Sequence, residues 1–296
     1  MLNKRPIFVN GFQRGGTNIL MQLISSHPQV RVLGGEIHEI FYGRDAYPIQ
    51  KWLRRFTSVP VVLSTRQHTF WPYRYYERRA LPTAVNHYID LLFYFHKLIA
   101  YNPTYENGRS RSTWAEKGNA RMLCKCVNGA VLTTPLLAEM YPDATFVTLV
   151  RHGMALCEGF MRRGWSAERF GRMYQTVCNQ MLDDAHQMEN YHIIRFEELM
   201  ADPAAAVQKV YELTGLEVHE TKKFKLQAKK NMGQDGQRSY NFGNKDKSLV
   251  YMGLDELAGY LRKDVNDNQI ARLSEADKTA FLREARMAMS DLGYLS

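Results

Sequence analysis

"FVNGFQRGGTNILMQLISSHP", Phe8–Pro28, carries an apolar run into a glycine-rich bend and then into a helix-forming run. Strand, glycine bend and helix in that order make an anion-binding loop, whose donors are backbone N–H groups at a helix N-terminus. A nucleoside-triphosphate loop reads G-x-x-x-x-G-K-[ST], in which the lysine reaches the phosphates and the hydroxyl holds magnesium. Gly11 and Gly16 stand at the two glycine positions, but Thr17 replaces the lysine and Asn18 the hydroxyl. The backbone cradle survives those replacements and the metal ligand does not. Arg14 supplies positive charge from inside the loop. The stretch reads either as a cradle for a phosphate-rich ligand handled without metal, or as an ordinary strand–turn–helix with a glycine-rich turn.

Composition narrows the setting. The chain has 296 residues, 45% of them hydrophobic, which suits one large domain with a sizeable core. Basic residues outnumber acidic ones 39 to 30, a net charge of +9 that favours an anionic ligand, a nucleic acid or an acidic surface. The densest basic run is "KKFKLQAKK" (Lys222–Lys230), which a solvated helix face explains at least as well as a nucleic-acid tail. The N-terminal "MLNKRPIFVNGF" breaks its apolar run at Asn10 and Gly11, so it does not read as a secretory signal. Tyr88–Tyr101 contains Asp90, His96 and Lys97 and is no membrane span. Cys124, Cys126, Cys157 and Cys178 form no C-x-x-C pair and no zinc-like spacing, and read as buried reduced thiols. The expectation is a cytoplasmic chain without a metal, a nucleic-acid partner or a membrane partner.

Further along, strand and helix patterns alternate as in a parallel sheet. Ile7–Asn10 reads as a strand, Thr17–Ser26 as a helix and Val30–Leu33 as a second strand; "GGEIHEIF" then bends the chain and leaves Glu36 and His38 at a strand's C-terminal end, the ligand edge of an open α/β sheet. "RMLCKCV" (Arg121–Val127) and "ATFVTLVRHG" (Ala144–Gly153) are strands, and the second ends in Arg151. A helix with Arg162 and Arg163, a helix over Tyr174–Glu189, a strand over Ile193–Phe196, a helix stopped by Gly215 and a C-terminal helix over Ser274–Leu292 complete the pattern. Asn231–Lys247 reads as a long loop of the functional or mobile kind. The fold class is α/β: a P-loop-like three-layer fold with a central parallel sheet flanked by helices. Residues 1–296 form one domain, with an aromatic-rich helical insertion or cap at about 43–118. Within the insertion, Tyr88, Leu91, Leu92, Phe95, Leu98 and Ile99 recur at the spacing of a core-facing helical stripe. Trp71, Tyr73, Tyr75 and Tyr76 either line an acceptor pocket or pack the insertion.

The ordered set of motifs resembles the sulfotransferases that use 3′-phosphoadenosine 5′-phosphosulfate (PAPS), most of all the group that includes the tyrosylprotein sulfotransferases. Gly11, Arg14, Gly16 and Thr17, followed by His27–Pro28, resemble the family's 5′-phosphosulfate loop. "RVLGGEIHE" resembles the segment that carries a glutamate base, which falls on Glu36. "YPDATFVTLVRHG" resembles the strand feeding the 3′-phosphate site, with Arg151 as its arginine and Arg163 as the second arginine twelve residues on. Where the family has a serine eight residues after the first arginine, this chain has Gly159. "RFEELMADP" and "SDLGY" resemble later family segments, and "QRSYNF" sits where a loop closes over the nucleotide, which makes Arg238 and Ser239 candidates. The family's basic residue near the sulfuryl group falls by direct spacing on Cys126; Lys125 takes the place only if the strand bulges, because neighbours on a strand face opposite ways.

The resemblance implies PAPS as co-substrate, adenosine 3′,5′-bisphosphate (PAP) as product, and in-line sulfuryl transfer to a hydroxyl or amine of a small-molecule acceptor. Gly15, Gly16, Thr17 and Asn18 would hold the 5′-phosphate, Arg14 would stabilise the leaving group, and Glu36 would take the acceptor's proton, with His38 as the rival base. Arg151, Gly159, Arg163, Arg238 and Ser239 complete the nucleotide site. A metal-dependent small-molecule kinase, a protein or carbohydrate sulfotransferase, a nucleic-acid-binding protein and a nucleotide-binding chain without turnover remain as alternatives. Oligomeric state is unreadable.

Overall fold

The computed structural model describes residues 1–37, 66–70, 73–77, 82–99, 105, 113–227, 249–261 and 265–295. The strands in chain order are β1 (Ile7–Gly11), β2 (Val30–Glu36), β3 (Arg66–Phe70), β4 (Tyr73–Glu77), β5 (Arg121–Val127), β6 (Thr145–Val150), β7 (Tyr191–Arg195), β8 (Phe224–Gln227) and β9 (Leu249–Met252). The helices are α1 (Thr17–Ile24), α2 (Thr83–Ile99), α3 (Trp114–Asn119), α4 (Thr134–Met140), α5 (Gly153–Met161), α6 (Ala167–Gln187), α7 (Phe196–Ala201), α8 (Pro203–Thr214), α9 (Leu257–Tyr260), α10 (Val265–Ile270) and α11 (Glu275–Asp291).

Five strands form one sheet in the order β2-β5-β1-β6-β7, and every neighbouring pair is parallel. β1 therefore lies at the middle, with β5 on one side and β6 on the other. The chain reverses its direction of travel across the sheet there, and that point is where open α/β sheets bind ligands. Alternation along each strand splits the interior into two layers. Phe8, Cys124, Cys126, Phe146 and Val150 face one core, shared with α4, α5, α6 and α11. Ile7, Val9, Leu123, Val147 and Leu149 face the other, shared with α1, α7 and α8. The three-layer α/β expectation holds.

Local chemistry fixes the helix ends. Ser166 caps α6 through the Arg169 N–H, and Asp202 caps α8 through the Ala205 N–H, with Pro203 in the first turn. α8 ends at Gly215, whose φ of 62° is the left-handed stop that glycine takes readily. All four cysteines are free and buried. Among the described residues no helix is long and apolar enough to cross a membrane.

Two expectations need correction in the insertion. Its described part is not only helical, because β3 and β4 pair as an antiparallel hairpin. The apolar stripe on α2 does not face the core. Leu91, Phe95 and Ile99 are exposed, Phe95 by 53%, while Asn86, Ile89, Asp90, Phe93 and Lys97 are buried. The buried charges are satisfied where they sit, which is how polar groups come to displace leucines from an inner face. Asp90 accepts from the Leu2 and Asn3 N–H groups, from Asn3 Nδ2 (2.8 Å) and from the Tyr141 hydroxyl (2.8 Å). Lys97 donates to the carbonyls of Gly118 (2.9 Å) and Ala120 (3.1 Å). The long loop expected over Asn231–Lys247 lies outside the described residues, as does Trp71.

Candidate active site

The loop after β1 is held in a conformation that few residues tolerate. At Gly11, φ is 154° and an added Cβ would come within 2.8 Å of the Leu149 carbonyl on β6. At Gly16, φ is 90° and a Cβ would lie 2.4 Å from the Phe196 ring. Arg14 itself takes a left-handed φ of 67°, a conformation that costs a non-glycine residue about 1–2 kcal/mol. Two bonds hold the turn: Gly15 N–H donates to the Phe12 carbonyl (3.0 Å), and Gln13 N–H donates to Asn128 Oδ1 (3.0 Å). Gly16 is the N-cap of α1 and offers no side chain to the first-turn N–H groups. That end carries the positive pole of the helix and suits an anion.

A cavity of about 390 Å³ opens at this end of the sheet, lined by Gln13, Arg14, Gly16, Thr17, Asn18, Glu36, Lys125 and Arg163. The size falls within the ordinary range for small-molecule sites. A continuous polar chain runs along it. Arg163 Nη1 donates to Gln13 Oε1 (2.9 Å), and Gln13 Nε2 lies 3.4 Å from Glu36 Oε2. Lys125 Nζ forms an ion pair with Glu36 Oε1 at 2.6 Å and donates to Asn18 Oδ1 at 2.8 Å. Tyr105, from the insertion, donates its hydroxyl to the same Asn18 oxygen (2.9 Å). Partial burial, with Arg163 and Arg162 close by, lowers the Arg14 pKa to about 10, so it stays charged at neutral pH.

Sheet geometry decides between Lys125 and Cys126. Leu123 and Lys125 point to the α1 side, where the loop lies; Cys124 and Cys126 point into the other core. Burial pushes the Cys126 thiol well above its ordinary pKa, far from nucleophilic use. β5 itself stays in regular register with β1 from Leu123 to Val127. The irregularity is in β2 instead. Val32 pairs with Leu123 and Glu36 with Lys125, so Leu33, Gly34 and Gly35 span what one β5 residue spans. That bulge slides Glu36 opposite Lys125, and bulges commonly re-aim side chains this way.

The remaining candidates fall into three groups. Arg14, Gly16, Thr17, Asn18, Glu36 and Arg163 meet at the cavity. Gly15, Gly159 and Arg151 are not part of that lining. Gly15 is turned inward with its N–H used by Phe12. Gly159 lies under the Arg14 side chain, where an added Cβ would meet Arg14 Cβ and Cγ at an ordinary 3.6 Å. Arg151 is buried beneath the loop, donating Nη1 to the Arg14 carbonyl (2.5 Å). His38, Arg238 and Ser239 lie outside the described residues. Gln13, Asn128 and Tyr105 were missed by sequence reading. The Gln13 backbone N–H donates to the Asn128 side-chain oxygen across 115 residues of chain, and no local pattern announces such a bond. Among the described residues no three His, Cys, Asp or Glu side chains gather as a metal site.

The sequence profile described as "Sulfotransferase family" matches residues 6–220, which takes in the loop, β2, β5, β6, β7 and the helices between them. No curated protein matches by sequence. Among solved structures, the sulfotransferase domain from the curacin biosynthetic pathway aligns over 99% of this chain and 98% of its own, with a TM-score of 0.53 and 13% identity. The sulfotransferase domain of the Synechococcus PCC 7002 olefin synthase aligns over 99% and 97%, with a TM-score of 0.54 and 13% identity. At that identity the two structures speak for the fold, and the profile speaks for descent. The chain belongs to the sulfotransferase family.

Proposed function

We propose that the chain moves a sulfuryl group from PAPS to a hydroxyl or amine of a small-molecule acceptor. The observation that carries this reading is the Glu36–Lys125 pair at 2.6 Å, set in the same cavity as a glycine-bent loop that has arginine but no magnesium-binding hydroxyl. A carboxylate and three cations, Arg14, Lys125 and Arg163, line the cavity that also takes in the first turn of α1.

The chemistry asks for such a set. The acceptor oxygen or nitrogen attacks sulfur as the bond from sulfur to the bridging oxygen breaks. The electron pair of that bond stays on the bridging oxygen, which leaves as the 5′-phosphate of PAP. Glu36 takes the acceptor's proton, a contribution typically worth about 10²–10⁴-fold. Arg14 offsets the charge that grows on the leaving oxygen, and the first-turn N–H groups of Thr17 and Asn18 hold the phosphate. Lys125 orients Glu36 through their ion pair and would add positive charge to the cavity in which transfer takes place. Arg163 extends the positive wall. Tyr105 joins the insertion to Asn18, so the insertion is the part of the chain that would shape the acceptor side.

Thermal unfolding tests the reading directly. PAP without metal should raise the midpoint, since a ligand at about 100 times its Kd adds about 2.7 kcal/mol. ATP with magnesium should not. A shift with ATP and magnesium alone would overturn the proposal in favour of a kinase. With an acceptor in hand, Glu36→Gln should lower kcat by about 10²–10⁴-fold and leave PAP binding intact.

A further inference from the structure

Arg151 directly follows β6 with only 4% of its surface exposed, and each of its three guanidinium nitrogens donates a hydrogen bond. Nη1 holds the Arg14 carbonyl, Nε donates to Asn266 Oδ1 (2.8 Å), and Nη2 donates to Gln269 Oε1. The guanidinium lies 4.4 Å over the Phe196 ring. All three oxygens are neutral. Behind each amide stands a carboxylate. Asn266 Nδ2 donates to Glu197, and Gln269 Nε2 donates to Glu158 Oε2 (2.9 Å). The carboxylates are themselves occupied: Glu197 by the His152 N–H and the Tyr294 hydroxyl, Glu158 by Arg162 and Arg272. The amide orientations follow from these neighbours, because a flipped amide would set N–H against guanidinium and oxygen against carboxylate.

A buried cation is most simply satisfied by a carboxylate in contact. Aspartate and glutamate would fill the same space, but only an amide can accept from Arg151 and donate to Glu197 or Glu158 at once. What the amides do is orient Arg151 without cancelling its charge. Burial lowers its pKa to about 10, against the pull of Glu197, so the charge persists at neutral pH. That charge lies directly under the loop and holds the carbonyl of the one left-handed arginine in it.

We infer that Asn266 and Gln269 of α10 are positioning residues of the loop's anion site, neutral spacers that fix Arg151 beneath the loop and keep its charge available to a bound anion. The inference deepens the reading proposed above and rests on it for the identity of the anion. It also gives α10 a role outside the segment that the family profile covers, which ends at residue 220.

The test compares wild type, Gln269→Glu and Gln269→Met by thermal unfolding and calorimetric titration, with PAP and with inorganic pyrophosphate as probes. Gln269→Glu keeps the acceptor and the shape but sets a charge against Arg151. It also loses its donor to Glu158 and faces that carboxylate, so it should unfold earlier than wild type without ligand, and per folded molecule it should bind both probes about ten-fold more weakly or worse, with a shallower salt dependence. Gln269→Met, which frees Arg151, should weaken both by about three-fold or more. A residue that merely packs would move the ligand-free midpoint and leave affinity alone, so Gln269→Glu binding like wild type overturns the inference. If that variant does not fold, unchanged binding by Gln269→Met overturns it. If wild type binds pyrophosphate but not PAP, the PAPS reading falls and pyrophosphate still decides the role of Gln269. If wild type binds neither, both are wrong.

Discussion

The loop after β1 and helix α2 both take charge out of water, and they differ in what that charge then faces. On α2, Asp90 gathers four donors and Lys97, 1% exposed, fills two carbonyls while lying 4.8 Å over the Tyr94 ring. These groups face inward and tie the N-terminal segment and β5's leading edge to the insertion. At the loop, Arg14, Arg163 and Lys125 open on a cavity, and Arg151 beneath them is met only by neutral oxygens and a ring. Buried charge on its own therefore does not mark a site. What marks it is where the charged groups open: those at the loop line a cavity, and those on α2 are enclosed by their partners.

The largest expected effect tests the α2 half. Phe93→Ala should cost about 3–5 kcal/mol in denaturant unfolding, whereas Phe95→Ala, on the exposed stripe, should stay within about 0.5 kcal/mol. Equal losses would restore the stripe as the core face. Next, Asp90→Ala strands four donors and should cost about 3 kcal/mol, with PAP affinity per folded molecule unchanged. A loss of affinity there would break the division between the two regions. Arg14→Met should do the reverse: unfolding free energy within about 1 kcal/mol of wild type, but PAP binding weaker by about ten-fold or more, read by calorimetry.

The smallest effect is a pH dependence. Burial lowers the Lys97 pKa to about 8, despite Asp90, from an ordinary 10.5. Between those values the unfolded chain binds more protons than the folded one, so this residue adds stability as pH rises through that window. The buried tyrosines and cysteines, whose pKa values are raised, pull the other way. The difference between wild type and Lys97→Met isolates the lysine: it should shift in favour of wild type from pH 8 to 10. A flat difference would mean that the amine is better hydrated than its burial implies.

Much of the site could be read in the chain because a glycine-bent loop is a local object. Gly11, Arg14 and Gly16 lie within six residues, and Thr17 and Asn18, in place of a lysine and a magnesium-binding hydroxyl, distinguish the loop from a magnesium-nucleotide one. Lys125 was harder. Counting along the strand favoured Cys126, and the choice turns on which sheet face carries the loop. The α2 stripe misled because hydrophobic periodicity assumes that polar residues prefer water, and Asp90 and Lys97 find better partners inside.

The sequence by itself determined the strand–helix alternation, the glycine-bent loop without the lysine of a nucleoside-triphosphate loop, and the family, because each rests on short-range pattern: alternation of period two, helical period 3.6, and glycine where the backbone turns left-handed. Only the tertiary structure decided which residues meet. The bulge at Gly34 and Gly35 carries Glu36 to Lys125 across 89 residues, and α10 brings Gln269 to Arg151 across 118. Such contacts follow from how a twisted sheet and its helices pack in three dimensions, and their distances are not written in spacing along the chain.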